Sequence, residues 1–343
     1  MRRAVVALAV VAVAAVAAAA PAAAAEPIVM RIASVAPDGS AWANLLRDWG
    51  RELETTTHGA IRVKWYFSGV TGDELATFDG IKKGFLDGMA SGGMVCERLA
   101  PSLSIQGLAG VFQSREEAGY VVDRLRPTLE EETRRAGFEL LITSGLGPEV
   151  LFTRTPVRTM AELRKLRMWR WSADAPGIAM SHEMGLDIVP ADLDAAGKAF
   201  DDHRVDGFIA IPTAALAFQW SARARYITDL RAGYLTGCVV VAQRALDRLT
   251  ADEQKQFRLL FAKYDALFQE MGRRQDEALL GGLFEKQGLK PIPPSEGFRS
   301  EFFEAARAAR ERAATRFVSR ATLDRVLKWL ADYRAEHTEV VAH

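Results

Sequence analysis

Apolar and polar positions alternate in two rhythms along this chain. From Ile28, "IVMRIASVAP" is a short run rich in β-branched residues, and in the "DGSAWANLLRDWGRELETTTHG" that follows, Trp42, Leu45, Leu46, Trp49 and Leu53 recur at helical spacing. Ser40 supplies an N-cap before that run and Gly59 ends it. "AIRVKWYFSG" alternates with a period of two, as a half-buried strand does, and "GDELATFDGIKKGFLDG" returns to the helical period. The order strand, helix, strand, helix predicts an α/β fold built on central mixed, largely parallel sheets.

One local pattern recurs. "FDGIKKGFLDGMASG" ends a helical stretch at Asp87-Gly88, and "AAGKAFDDHRVDGFIAIP" does the same at Asp206-Gly207. Each predicts a helix that stops near the Asp-Gly and feeds a strand opening at Gly92-Gly93 or Pro212. The match is a short echo rather than a repeat, and it points to two lobes of related design. Between the two, "SGLGPEVLFTRTPVRTMAELRKLRMWRW" reads as a crossing segment, a helical turn and a strand. Thr250 and Glu253 form a capping-box pair ahead of a helical pattern running toward Gln287, eased by Gly272 and Gly281-Gly282. A helix of that length outside a coiled coil spans more than one lobe. "GLKPIPP" predicts a short strand; the remainder predicts amphipathic helix, with Phe302, Phe303, Phe317, Leu323, Val326 and Leu330 as its apolar side and a frayed "AEHTEVVAH" end.

The N-terminus changes where this fold must work. "MRR", an alanine-rich apolar run over residues 4–20, Pro21 and then "AAAAE" predict a secretory signal peptide over residues 1–25, cut after Ala25. No Cys follows the run to accept a lipid. Of 44 basic and 44 acidic side chains, removal of Arg2 and Arg3 leaves 42 against 44, a balance that gives no electrostatic footprint for nucleic acid. The length allows two lobes, expected as 26–146 with 232–286 (lobe I) and 147–231 with 287–343 (lobe II). Cys96 and Cys238 are the only cysteines; two thiols so far apart in sequence give no framework, so they are expected to be unpaired, with a disulfide as the alternative in an oxidising compartment.

No zinc-protease, nucleophile-elbow, phosphate-loop or paired C-x-x-C spacing occurs. Asp201, Asp202, His203 and Asp206 are the densest group of potential ligands, and their spacing fits a charged helix end. No catalytic residue, metal or cofactor is expected, and an enzyme is the weaker hypothesis. The least ordinary stretch is "KLRMWRWSADAP": as a strand it places Arg167, Trp169 and Trp171 on one face and Met168 and Arg170 on the other.

From "RIASVAPDGSAWANLLRDWGRELETTTHGAIRVKWYFSGVTGDE" through "GIKKGFLDGMASGG", "TMAELRKLRMW", "MGLDIVPADLDAAGKAFDDHRVDGF" and "RYITDL", the chain resembles the DctP-type solute-binding proteins of TRAP (tripartite ATP-independent periplasmic) transporters. The resemblance implies a two-lobed periplasmic binding protein fold joined by crossing strands and a long lobe-spanning helix. It also implies a ligand held in the interlobe cleft, periplasmic location, and delivery to TRAP membrane permease subunits driven by an ion gradient. A helical-repeat periplasmic lipoprotein is a further candidate partner.

In that family an arginine follows "DLKGLKI" and forks the substrate carboxylate; read against "ELRKLRM", the equivalent position here is Trp169, with Arg170 adjacent and directed the other way. "GLGPEV" puts Pro148 and Glu149 where the family has an aromatic residue and arginine, and "FIAI" replaces a polar "QEN". The expected ligand is therefore a small, hydrophobic or uncharged molecule. Its expected contacts are Trp169, Arg170, Trp171, Phe208, Ile211, Ser91, Met94, Pro148, Glu149 and Trp220. The alternatives are a carboxylate held by Arg170 or Arg154 in a shifted geometry, or a protein-partner module with a vestigial cleft. Lobe closure is expected about residues 144–148 and 227–233.

Overall fold

The computed structural model describes residues 26–338, so the leader expected over residues 1–25 lies outside the described residues. Strands β1 (Ile28–Ser34), β2 (Ile61–Tyr66), β3 (Gly88–Ser91), β4 (Phe138–Pro148), β5 (Val150–Thr153), β6 (Arg167–Trp171), β7 (Asp187–Ala191), β8 (Gly207–Ala210), β9 (Tyr226–Thr228), β10 (Tyr234–Ala242) and β11 (Lys290–Pro291) form two sheets. Their orders are β2-β1-β3-β10-β4 and β11-β9-β5-β8-β6-β7. β1 runs parallel to β2 and β3, and β6 parallel to β7 and β8. The strands that arrive from the other sheet, β10 and β5, pair antiparallel with their neighbours. Each sheet is thus a parallel core closed by a returning strand.

The local chemistry explains the first unit. Ser40 accepts from the Ala43 N–H and starts the helix Ala41–Thr56. Trp49 of that helix is fully buried and meets Phe261 of the long helix Ala251–Ala278 at 3.9 Å between ring centroids. That long helix carries the complete Thr250–Glu253 capping box. It packs on β4 and on Ala41–Thr56, and also touches the helix Pro212–Ala217 beside the second sheet. Its expected run toward Gln287 is broken: Leu279–Leu283 is a π turn, and Gly282 sits at φ 125°, outside helical space.

The amphipathic C-terminus likewise divides, into helices Glu296–Ala313 and Arg320–Thr338. Ser319 Oγ accepts from the Thr322 N–H and restarts the second. The first packs on the helix Ala175–Glu183 beside the second sheet, whereas the second lies against Arg115–Arg135 beside the first. The region expected as one part of lobe II therefore bridges both units; of the end expected to fray, residues 335–338 are helical and 339–343 lie outside the described residues.

The Asp-Gly echo occupies the same place in each sheet. Asp87 accepts from Arg31 N at 2.7 Å and Nε at 3.1 Å, and Asp206 accepts from Arg167 N and Nε, both at 3.0 Å. The following glycines pair with Ile32 and Met168. A Cβ on either would come within 2.5 Å of a carbonyl oxygen on the returning strand, Val240 O for Gly88 and Phe152 O for Gly207. The aspartate pins the strand start through an arginine, and the glycine lets the antiparallel neighbour approach.

The two cysteines are not free, contrary to expectation: Cys96 and Cys238 form a disulfide across 142 residues of sequence. The reason is topological. β10 inserts beside β3, with Cys238 opposite Ser91, and the helix Met94–Leu99 that leaves β3 folds Cys96 back over it.

Candidate functional site

A cavity opens between the sheets, outside the carboxyl ends of β1, β3, β6 and β8, the position where open α/β sheets leave room for a ligand. The sequence places small residues at the first sheet's strand ends, Ser34, Ala36 and Ser91, and large ones opposite. Trp42, Trp169, Trp171, Trp220, Phe218 and Phe268 supply aromatic wall, and Leu46, Leu146, Ile209 and Ile211 fill between them. Its volume is about 170 Å³. An apolar cavity of about 150 Å³ holds benzene, so this space suits a small molecule rather than a peptide.

Of the residues expected to contact a ligand, Trp169, Arg170, Trp171, Ile211, Ser91, Met94, Glu149 and Trp220 line the cavity; Phe208 and Pro148 do not. Phe208 is fully buried one layer back, with Phe200 at 5.2 Å and Trp220 at 5.9 Å. Pro148 ends β4 opposite Tyr234, and the next residue, Glu149, turns into the wall instead.

Trp169 serves both core and wall: it is 3% exposed, donates from Nε1 to Ala191 O at 3.1 Å and packs 4.8 Å from Trp220. Trp171 is the more open of the pair, and its Nε1 is buried without a partner. Ser91 contributes little polarity, because its hydroxyl donates to Glu74 at 2.5 Å and accepts from the Gly93 N–H.

Strand alternation puts Arg170 on the face opposite Trp169, although it was also among the expected ligand contacts. It reaches the same cavity without a bulge, because β6 ends there and both faces of a strand tip border the opening. It is buried between two carboxylates. Its Nη2 donates to Glu149 Oε1 at 3.0 Å and lies 2.7 Å from Asp174 Oδ2, and its Nε donates to that same oxygen at 2.9 Å. Asp174 also accepts from the Gly177 N–H at 2.9 Å, capping Ala175–Glu183.

Burial opposes charge throughout this cluster. It works against the Arg170 cation, but Glu149 and Asp174 outweigh it and hold the guanidinium above its ordinary value. Burial pushes the Glu149 carboxyl up, against the pull of Arg170. Behind them, burial reinforced by Asp174 pushes Glu97 up to about 8, with Gln106 Nε2 donating to it at 2.9 Å. Glu97 thus binds its proton more tightly folded than unfolded. The stability this contributes is full below the ordinary carboxyl value and lost as pH rises through about 8. Unfolding free energy should fall as pH rises from the ordinary carboxyl range toward about 8 and level off above it, and Glu97→Gln should flatten the decline; denaturant midpoints across the range check it.

Arg154 stands elsewhere: its guanidinium lies 3.8 Å over the Phe200 ring and donates to Phe200 O, away from the cavity wall. Asp201 pairs with Arg223, Asp202 with Lys198 and Asp206 with Arg167, and no group of metal-ligating side chains assembles among the described residues. No described helix is long and apolar enough to cross a membrane.

The sequence profile described as "Bacterial extracellular solute-binding protein, family 7", the DctP family, matches residues 32–316. The chain belongs to this family. No curated protein sequence matches it. Among solved structures, this family-7 protein is similar to an extracytoplasmic solute receptor of Bordetella pertussis that binds pyroglutamic acid, at 18% identity and TM-score 0.78, covering 88% of this chain and 99% of that one. It is also similar to a sugar acid binding protein of Advenella mimigardefordensis in complex with galactonate, at 16% identity and TM-score 0.82, covering 90% and 99%. A TRAP periplasmic solute-binding protein of Haemophilus influenzae with bound L-gulonate has 14% identity and TM-score 0.81, covering 89% and 99%. The family is one of transport receptors, and the two-sheet architecture is theirs.

Sequence reasoning on this family-7 receptor missed Asp174, Trp42, Phe218 and Phe268 as wall residues. Trp42 carried a signal: a bulky apolar residue in the first turn after a strand end sits at the carboxyl edge of a sheet, where crevices open. Phe268 carried none, because only the tertiary path of the long helix brings it there.

Proposed function

We propose that this TRAP-type receptor works in the periplasm and captures an amphipathic carboxylic acid, with its apolar body against the tryptophans and its carboxylate at Arg170, for delivery to the membrane permease. The observation that carries the reading is a single arginine, held by Glu149 and Asp174, on a wall that is mostly aromatic and aliphatic. Nη1 of Arg170 has no protein acceptor among the described residues, nor is it one of the buried polar atoms left without a partner. A guanidinium edge so placed fits a carboxylate, and the structural neighbours named above hold acidic ligands. Their sugar acids carry many hydroxyls, and these walls offer few groups to match them, so the acid proposed here has an apolar body.

The two carboxylates already on Arg170 favour a second reading, an uncharged apolar ligand. Mass spectrometry of small molecules released from natively purified protein separates the two. An apolar-bodied acid supports the first reading; a neutral lipid-like molecule supports the second; a polyhydroxylated sugar acid counts against both. Trp171→Ala should weaken binding of the released molecule by about 2 kcal/mol, the scale of a lost aromatic anchor, with the fold intact because Trp171 is only half-buried. Calorimetric titration measures it, and an unchanged affinity would remove Trp171 from the site.

A further inference from the structure

Arg170, Glu149 and Asp174 form a buried cluster of one cation and two carboxyl groups on the cavity wall. A ligand carboxylate at Nη1 would bring a third carboxyl group to the same guanidinium. Three carboxylates around one buried cation leave two negative charges uncompensated, which a desolvated site does not tolerate. One proton restores the original balance.

Resting on the amphipathic-acid reading, we infer that Glu149 is the residue that sets which charge state of ligand is accepted: the acid binds together with one proton, which Glu149 takes up. The geometry selects Glu149 over Asp174. Asp174 accepts from Arg170 Nε and from the Gly177 N–H, and a proton there would compete with the cap of the helix Ala175–Glu183. Glu149 accepts one side-chain hydrogen bond, from Arg170 Nη2. Its other oxygen, Oε2, lies over Gly233, where even a Cβ would be 2.7 Å away. Glu149 also sits where both chain crossings meet: its N–H donates to Gly233 O at 2.8 Å and its carbonyl accepts from the Ala232 N–H at 2.9 Å. The charged groups facing it are Arg170 from β6 and Asp174 from the start of the next helix, with Glu97 behind Asp174. Burial already raises the Glu149 carboxyl in the empty site, and a ligand anion raises it further.

The test is calorimetric titration with 3-phenylpropanoate and with its uncharged counterpart 3-phenylpropanamide. The range runs from about pH 5 to pH 7.5, below the Glu97 transition, in two buffers of different ionisation enthalpy. For the acid, wild-type protein should lose about tenfold in affinity per pH unit over part of that range and take up close to one proton per ligand. The amide should bind with no pH dependence. In Glu149→Gln the acid should bind with a flat profile and no proton uptake. A flat wild-type profile with the acid bound overturns the inference and leaves the amphipathic-acid reading standing. So does a slope that persists in Glu149→Gln, or an identical slope for the amide. Failure of the acid to bind at any pH overturns both. The wild-type proton count decides the matter even if Glu149→Gln folds poorly.

Discussion

Arg170→Leu should destabilise the protein by about 3–5 kcal/mol, the usual cost of removing one partner from a buried ion pair. The cost arises from what remains. Glu149 and Asp174 stay buried, each without the guanidinium that offsets its desolvation. Adding Glu149→Leu to Arg170→Leu should recover part of the loss, because a buried pair replaced by apolar side chains is often near neutral. Acidification should also shrink the deficit, since protonated carboxyl groups need no counter-charge. Denaturant midpoints for the single and double variants measure this, and a single-variant loss under about 1 kcal/mol would show that the cluster is solvated rather than buried. The same substitution should abolish binding of an acidic ligand while sparing an uncharged one.

Cys96→Ser with Cys238→Ser should cost about 3–5 kcal/mol, near the upper end of the range for disulfides. The two residues are 142 apart in sequence, and in the chain-entropy description a longer loop closed by the link constrains the unfolded chain more. Reductant should bring wild-type protein to the stability of the double variant and leave the variant unmoved. Equal stability of oxidised and reduced wild type would contradict the prediction. Cys238 is also a wall residue, so the variant should bind its ligand more weakly where the wall loosens.

Local order was legible because short-range chemistry decides it. Ser40, Asp-Gly at residues 87–88 and 206–207, and the Thr250–Glu253 box each act within a few residues of themselves, and the structure uses each where the sequence places it. The tryptophan faces of β6 were legible for the same reason, since a strand's period is local. The direction of Arg170 was not: strand alternation says which face a residue takes, but not that β6 ends at the opening, where both faces border it. The disulfide was hidden because β10 enters the first sheet from residues far downstream. The C-terminal break was hidden because Phe317 continues an apolar pattern through a turn that tertiary packing imposes.

The placement of β10 between β3 and β4 also orders events as the chain is made. A chain truncated before Tyr234 lacks the strand that lies between β3 and β4, so either strand, if formed early, would keep an unpaired row of N–H and C=O groups. Such edges invite pairing between molecules, and contacts this distant in sequence form slowly. A nascent chain that formed those strands early would be open to such pairing until its last third emerges. An exported chain held unfolded until release avoids that interval, because β10 is then available when β3 and β4 first meet, and the arrival of Cys238 beside Cys96 records that the gap has been filled.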